Sequence, residues 1–221
     1  MIPYDVEASA ISDIDNNTPC SEIELNSMVS DVIFEVFSPL KRNFEGKDAH
    51  EMDLFAFFVD ETGKVPSNEF VMFYNNPYLY ELYDNNPGKE YFIDQRDIWG
   101  YSPESEAYFL HLKIVPKAIC RIVFVWSLYD AESRAQDFSH CEFTRLRLGN
   151  CSFQTLKNMT ISEKERQTTI AQWEISKPVK NVAVINLAEL KRTETGWKIN
   201  FNDEPLLSKI EEVCSEFGMS I

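Results

Sequence analysis

Acidic and amide side chains stand at the ends of several predicted strands, where their oxygen atoms could bind a cation. Asp53 begins one apolar segment and Asn75-Asn76 end the next, which places both at one end of a predicted antiparallel pair. Two further predicted strands present the same kind of residue at their ends. Calcium favours several oxygen ligands held by a rigid frame. If these ends meet, the candidate ligands are Asp53, Asn75, Asn76, Asp97, Glu104, Glu106 and Asp130.

The same residues have a second, purely structural interpretation. Asn and Asp side chains hydrogen-bond to the nearby backbone in turns, and an acidic surface is commonly only solvated. The spacing by itself therefore leaves a cation site and ordinary turn chemistry both open.

Strands are the elements that must position these side chains. Ile122–Leu128 is apolar at both parities, which predicts a strand covered on both faces in the middle of a packed sheet. Asp53–Asp60 is a second such strand, and Phe70–Tyr74 is its predicted antiparallel partner. We also predict that Tyr108–Ile114 forms a hairpin with the Arg121–Leu128 strand, so that Glu104, Glu106 and Asp130 share one end. Other alternating segments lie at 32–37, 143–148, 168–175, 182–187 and 197–201.

Residues 203–217 predict a single amphipathic helix. Apolar side chains share one face, Asp203 is placed to cap the helix, and Gly218 follows its end. The predicted fold class is therefore all-β, a β-sandwich with a C-terminal α-helix. We expect one domain at 31–221 and a flexible acidic leader at 1–30.

The composition excludes some partners and locations. The 221 residues include 36 acidic and 21 basic side chains, a formal charge of −15, which argues against binding of nucleic acid. No signal peptide is evident and no apolar run approaches the roughly 20 residues that span a bilayer. We expect a cytoplasmic protein without direct membrane insertion. The five scattered cysteines predict free thiols packed as small apolar side chains.

Enzymatic signatures are absent from the sequence. Its seven glycines form no phosphate-binding loop, and neither GxSxG nor HExxH occurs. The histidines (His50, His111 and His140) have no spacing typical of a metal site, and each is predicted to be a surface or strand residue. Hydrolysis by two carboxylates is the enzymatic alternative, but no pair is singled out. We therefore expect a non-enzymatic protein.

Three segments in order resemble the TerD family of tellurium-resistance and stress proteins. They are FVMFYNN (Phe70–Asn76), RIVFVWSLYDAESRAQDF (Arg121–Phe138) and ELKRTETGWKINFND (Glu189–Asp203). The segment at 51–57 resembles the family's D-L-D-A-S-A-F strand, and Phe217-Gly218 resemble the end of its C-terminal helix. The resemblance extends from about residue 30 to the C-terminus.

The resemblance implies a cytoplasmic, calcium-binding β-sandwich with one or two ions. Such proteins are associated with resistance to tellurite, phage and colicins, and scaffold complexes rather than catalyse reactions. The implied partners are other Ter-type proteins and a membrane-embedded protein. The candidate ligands named above match acidic or amide positions of the family.

Departures from the family pattern predict a divergent member that binds one calcium or none. Glu51 replaces the first acid of the D-L-D motif, and a longer aromatic segment at Tyr78–Tyr101 replaces a Gly-rich acidic loop. Loops poor in glycine curve less easily around a cation. The alternative function is a metal-free protein-interaction module, with Tyr74–Tyr83, Phe92, Trp99 and Tyr101 as its binding surface.

Overall fold

The computed structural model describes residues 22–25, 29–41, 50–76, 92–94, 104–150, 169–175, 180–206 and 209–219. Within them the strands are β1 (Glu22–Leu25), β2 (Asp31–Phe37), β3 (Met52–Asp60), β4 (Val71–Met72), β5 (Phe92–Asp94), β6 (Ser105–His111), β7 (Ile119–Leu128), β8 (Thr144–Asn150), β9 (Thr169–Ile175), β10 (Val184–Arg192) and β11 (Trp197–Leu206). The α-helices are α1 (Ala131–Arg134) and α2 (Ile210–Glu216), and short 3-10 helices occur at Asn68–Phe70, Leu112–Ile114 and Phe138–His140. None of the helices in these ranges is long and apolar enough to cross a membrane.

The strands form two antiparallel sheets that face each other. One sheet has six strands in the order β1-β11-β10-β7-β3-β4, and the other has five in the order β5-β6-β2-β8-β9. Phe34 of β2 stacks on Phe124 of β7 with ring centroids 3.8 Å apart, so the core lies between the sheets. The predicted all-β sandwich is confirmed.

β7 is the central strand predicted from its two-sided apolar pattern. It pairs with β3 on one side and with β10 on the other. Its inward parity includes Trp126, whose indole Nε1 donates to the Ser38 hydroxyl at 3.0 Å. Val123 and Val125 on the opposite parity are buried as well. A strand buried on both faces is a rigid support for the residues that follow it.

Helix α2 covers the outer face of the six-stranded sheet but is shorter than predicted. Phe217, just after it, stacks on Phe57 of β3 with centroids 4.5 Å apart, and Val213 and Cys214 are buried. The predicted start at Asp203 is wrong, because β11 continues through Pro205 to Leu206.

The position of Pro205 in a strand has a physical explanation. β1 pairs only with residues 197–200 of β11, so within the described chain the second half of β11 pairs with β10 alone. A proline lacks an N–H and is tolerated where a strand has no neighbour on that side. The same residue is also typical of a first helical turn, which is why its sequence signal was ambiguous.

The predicted hairpin between β6 and β7 is wrong. β6 pairs with β2 and β5 in one sheet, whereas β7 pairs with β3 and β10 in the other. The connection turns as a 3-10 helix at Leu112–Ile114, held by the Leu112 amide donating to the Ser30 carbonyl at 2.7 Å. Alternation predicts strands but does not determine which sheet each strand joins.

β1 lies within the segment assigned to the acidic leader. Its residues pair with 197–200 of β11, and Leu25 is buried. Among the described residues the sheet therefore begins at Glu22, inside the 1–30 segment. A strand of four residues is too short to give a clear sequence pattern. Residues 1–21 of that leader lie outside the described residues.

Candidate functional site

The start of β3 and the end of β7 form one end of the sandwich, called here the acidic end. Asp53 lies opposite Ser127 in the antiparallel register. Just beyond the strands, the Tyr129 amide donates to the Glu51 carbonyl at 2.8 Å. Asp130 follows immediately, so the acids of these two strands lie at the same end of the six-stranded sheet.

Glu106 brings the start of β6 to the same end from the opposite sheet. Its side chain is buried, at 1% exposure, and its Oε2 accepts from the Leu54 amide of β3 at 2.7 Å. The Tyr108 hydroxyl donates to the carbonyl of the same Leu54. The predicted ends therefore coincide through a contact between sheets, not through the hairpin that was expected.

Glu104 holds the segment that leaves β2. Its carbonyl accepts from the Ser38 amide at 2.8 Å, and its Oε1 accepts from the Leu40 amide at 3.2 Å. The side chain is half-buried. Backbone donors thus orient the carboxylates of both Glu104 and Glu106.

Asp130 is exposed and adopts a left-handed backbone conformation, with φ 49° and ψ 37°. Asp is one of the few residue types that visit this region readily. Its carboxylate accepts from the Ser133 hydroxyl, and its carbonyl accepts from the Arg134 amide at 3.2 Å. The side chain is therefore ordered by α1 and open to solvent.

The asparagine pair after β4 forms a turn. The Asn76 side-chain nitrogen donates to the Val71 carbonyl at 2.7 Å, and its amide donates to the Phe73 carbonyl at 2.9 Å. These bonds favour the turn interpretation for Asn76, while Asn75 is exposed. Asp97, the remaining candidate, lies outside the described residues.

The acidic end does not form a complete calcium cage from the described side chains. Across those residues, no three His, Cys, Asp or Glu side chains are grouped so that they could hold a metal ion. The donors present are oxygen atoms, which suits a hard cation. Calcium would need further oxygens, and Asp97 is the candidate that the sequence offers. The metal-ligand assignment stays a prediction.

The sequence did not predict a contact between the buried His50 and the half-buried His140 beside the acidic end. His50 is 1% exposed, and its Nε2 lies 3.1 Å from Nδ1 of His140. Burial, followed by repulsion from His140, lowers the pKa of His50 to about 4. The prediction of a surface or strand position is wrong for His50. Two residues 90 positions apart have no spacing signal that could reveal their contact.

The described cysteines are free, and two are packed as predicted. Cys141 and Cys214 are buried, and burial raises the pKa of Cys141 to about 12 and that of Cys214 to about 11. Thiols held protonated in this way are poor nucleophiles.

The arrangement defines an all-β protein, an antiparallel sandwich with an acidic end and a helix on one outer face. The family model for the TerD domain matches residues 22–217, a range that begins at β1 and ends just after α2. The chain belongs to the TerD family.

Similar proteins cover most of the chain. Tellurium resistance protein TerD of Serratia marcescens is 24% identical over 179 residues, which are 81% of this chain and 83% of that protein. General stress protein 16U of Bacillus subtilis (strain 168) is 21% identical over 178 residues, 80% of this chain and 82% of that protein. A solved structure of a telluride-resistance (TerD) homologue from Streptomyces coelicolor A3(2) has a TM-score of 0.53 at 12% identity, covering 87% of this chain and 99% of that one. A solved protein of unknown function has a TM-score of 0.58 at 13% identity, with the same coverage.

Proposed function

We propose that this chain is a calcium-binding, non-enzymatic adaptor of the TerD type that acts in a cytoplasmic stress response. Membership of the TerD family supports this proposal, as do relatives named for tellurium resistance and general stress. The stresses that fit are tellurite, phage and colicins. The partners would be other Ter-type proteins and a membrane-embedded protein.

One observation carries the calcium part of the proposal: the hydrogen bond from the Leu54 amide to Glu106. It joins the two sheets near Asp53, the second residue of β3, and near the end of β7, which leads into Asp130. Three strands therefore deliver carboxylates to one end of a rigid core. Oxygen ligands supplied from separate rigid elements suit calcium.

Thermal unfolding with and without calcium tests this site. We expect calcium at ~100 times its dissociation constant to stabilise the protein by roughly 2.7 kcal/mol over the same protein in chelator. Asp53→Asn and Asp130→Ala should each reduce the shift. Glu61→Gln is the matched control, because this exposed acid lies just past the opposite end of β3 and should leave the shift unchanged.

Two outcomes contradict the calcium site. One is no shift in the parent protein at millimolar calcium. The other is a shift that magnesium reproduces at the same concentration and that both variants retain, since this would indicate general screening of the negative charge.

Exposed tyrosines favour a metal-free interaction module as the second candidate. Tyr74 and Tyr129 are both 49% exposed and are the large exposed hydrophobic side chains among the described residues. The Arg134 guanidinium lies 5.1 Å from the centre of the Tyr129 ring. Tyr and Arg are enriched at the centres of protein interfaces. A module of this kind predicts that calcium leaves the melting temperature of the parent protein unchanged, and that Tyr129→Ser abolishes tellurite resistance in a complemented strain while the variant stays as stable as the parent.

A further inference from the structure

A cleft of about 520 Å³ lies at the end of the sandwich opposite the acidic end. It is bounded by the turn between β10 and β11 and by the connection from β6 to β7. The register places it there, because Lys191 pairs with Arg121 near the start of β7, whereas Val184 pairs with Ser127 near its end.

The cleft is cationic although the chain as a whole is strongly acidic. Lys113, Lys117 and Arg192 line it, with Glu194 as the single acid of the lining. Within the described part of the chain, no ion pair joins either lysine to a carboxylate. Two exposed ammonium groups therefore line the same space, and neither pairs with a carboxylate of the described residues.

Arg192 is held in place by neutral groups. Its Nε donates to the Ile119 carbonyl at 2.8 Å, and its Nη2 donates to the Val115 and Pro116 carbonyls, each at 3.0 Å. The guanidinium also lies 4.3 Å from the centre of the Trp197 ring. Its positive charge is thus fixed and partly desolvated, and burial lowers its pKa. No carboxylate of the described residues pairs with it.

The β10–β11 turn adds a hydroxyl donor to the cleft. The Gly196 amide donates to the Thr193 hydroxyl oxygen at 3.1 Å, and the Thr193 amide donates to the Gly196 carbonyl at 2.9 Å. Because the Thr193 oxygen accepts, its hydrogen is left to donate. Fixed donors and cations around one space are the features that bind a phosphate group.

We propose that this cleft binds the phosphate group of a small phosphorylated molecule. The two lysines and Arg192 supply the positive charge, and the Thr193 hydroxyl supplies a neutral donor. Val29 and Leu112, which also line the cleft, provide an apolar wall for the organic part of the ligand. The site is separate from the proposed calcium site, which lies at the other end of the molecule.

Isothermal titration calorimetry with inorganic phosphate and with phenyl phosphate, an ester whose organic part is apolar, tests the proposal. The titrations use the whole chain in chelator, so the outcome does not depend on calcium binding. We expect saturable binding of both compounds and tighter binding of the ester. Lys113→Gln and Lys117→Gln should each weaken binding up to about five-fold, the range of an exposed charge pair. Lys180→Gln at the other end of the molecule is the matched control and should bind as the parent does.

Three results would overturn the proposal. One is heat that sodium chloride of equal ionic strength reproduces, and another is an affinity that neither lysine variant changes. The third is equal or weaker binding of the ester, which would contradict the apolar wall. Amide chemical shifts give an independent readout: the proposal requires phosphate to perturb residues 193–196 and to leave the acidic end unchanged.

Discussion

Glu106 lies on the buried face of β6, where the other side chains are mostly apolar. Tyr108 and Leu110 share its parity and are completely buried. A buried carboxylate is costly unless it is hydrogen-bonded, and the Leu54 amide supplies such a bond. Glu106 therefore joins the two sheets whether or not it also contributes to an ion site.

His50 leads to a prediction about pH. Its pKa in the folded state is about 4, well below the ordinary value of 6.5, because it is buried beside His140. Below pH 6.5 His50 is protonated in the unfolded chain, whereas in the folded protein it stays neutral until about pH 4. The free energy of unfolding should therefore fall as the pH decreases through this window, by on the order of 3 kcal/mol.

Urea unfolding between pH 7 and pH 5 measures about 2 kcal/mol of this effect, before most carboxylates titrate. His50→Gln keeps an N–H donor for His140 but cannot titrate, so its stability should vary less over that range. An equal slope in both proteins would show that His50 is not the group responsible.

At the scale of elements, a short helix covers the outer face of β3. α2 has seven residues, and isolated helices of that length are not stable in water. Its position comes from packing, with Phe217 stacked on Phe57 and Val213 buried. Gly218, with φ 81°, ends the helix in a conformation that other residues rarely adopt.

We predict that Phe217→Ala destabilises the protein by about 2 kcal/mol. This is below the usual 3–5 kcal/mol for Phe→Ala because the side chain is only half-buried. Chemical denaturation measures the loss. Glu216→Ala, an exposed neighbour in the same helix, should change stability by less than about 0.5 kcal/mol. Similar effects of the two substitutions would contradict docking through Phe217.

At the scale of the whole molecule, charge is unevenly placed. The chain carries a formal charge of −15, yet the cleft between the β6–β7 connection and the β10–β11 turn gathers three cationic side chains. With a net charge of this size, the acidic side chains repel one another in the folded state. The two ends of the sandwich thus offer opposite charges to ligands.

This repulsion predicts that salt stabilises the fold. Raising sodium chloride from 10 mM to 150 mM shortens the Debye length from about 30 Å to about 8 Å. We expect the melting temperature to rise by a few degrees in chelator, as measured by circular dichroism. A fall would mean that screened ion pairs contribute more than the self-repulsion. Tetramethylammonium chloride is the control for specific binding of sodium.

The sequence by itself determined the fold class and the family. β7 and β3 were recognisable because apolar residues at both parities require cover on two faces, and ordered motifs indicated the TerD family. These signals are local, because the burial pattern of a strand and the chemistry of a turn both involve neighbouring residues of the chain.

Only the tertiary structure decided which distant segments meet. It placed β6 and β7 in different sheets, brought His50 to His140, and built the cationic cleft from residues in two separate connections. It also extended β11 through Pro205, where proline suits a strand that is paired on one side only as well as a helix start. The physical reason is that pairing and packing depend on the whole set of strands competing for partners, which no local pattern records.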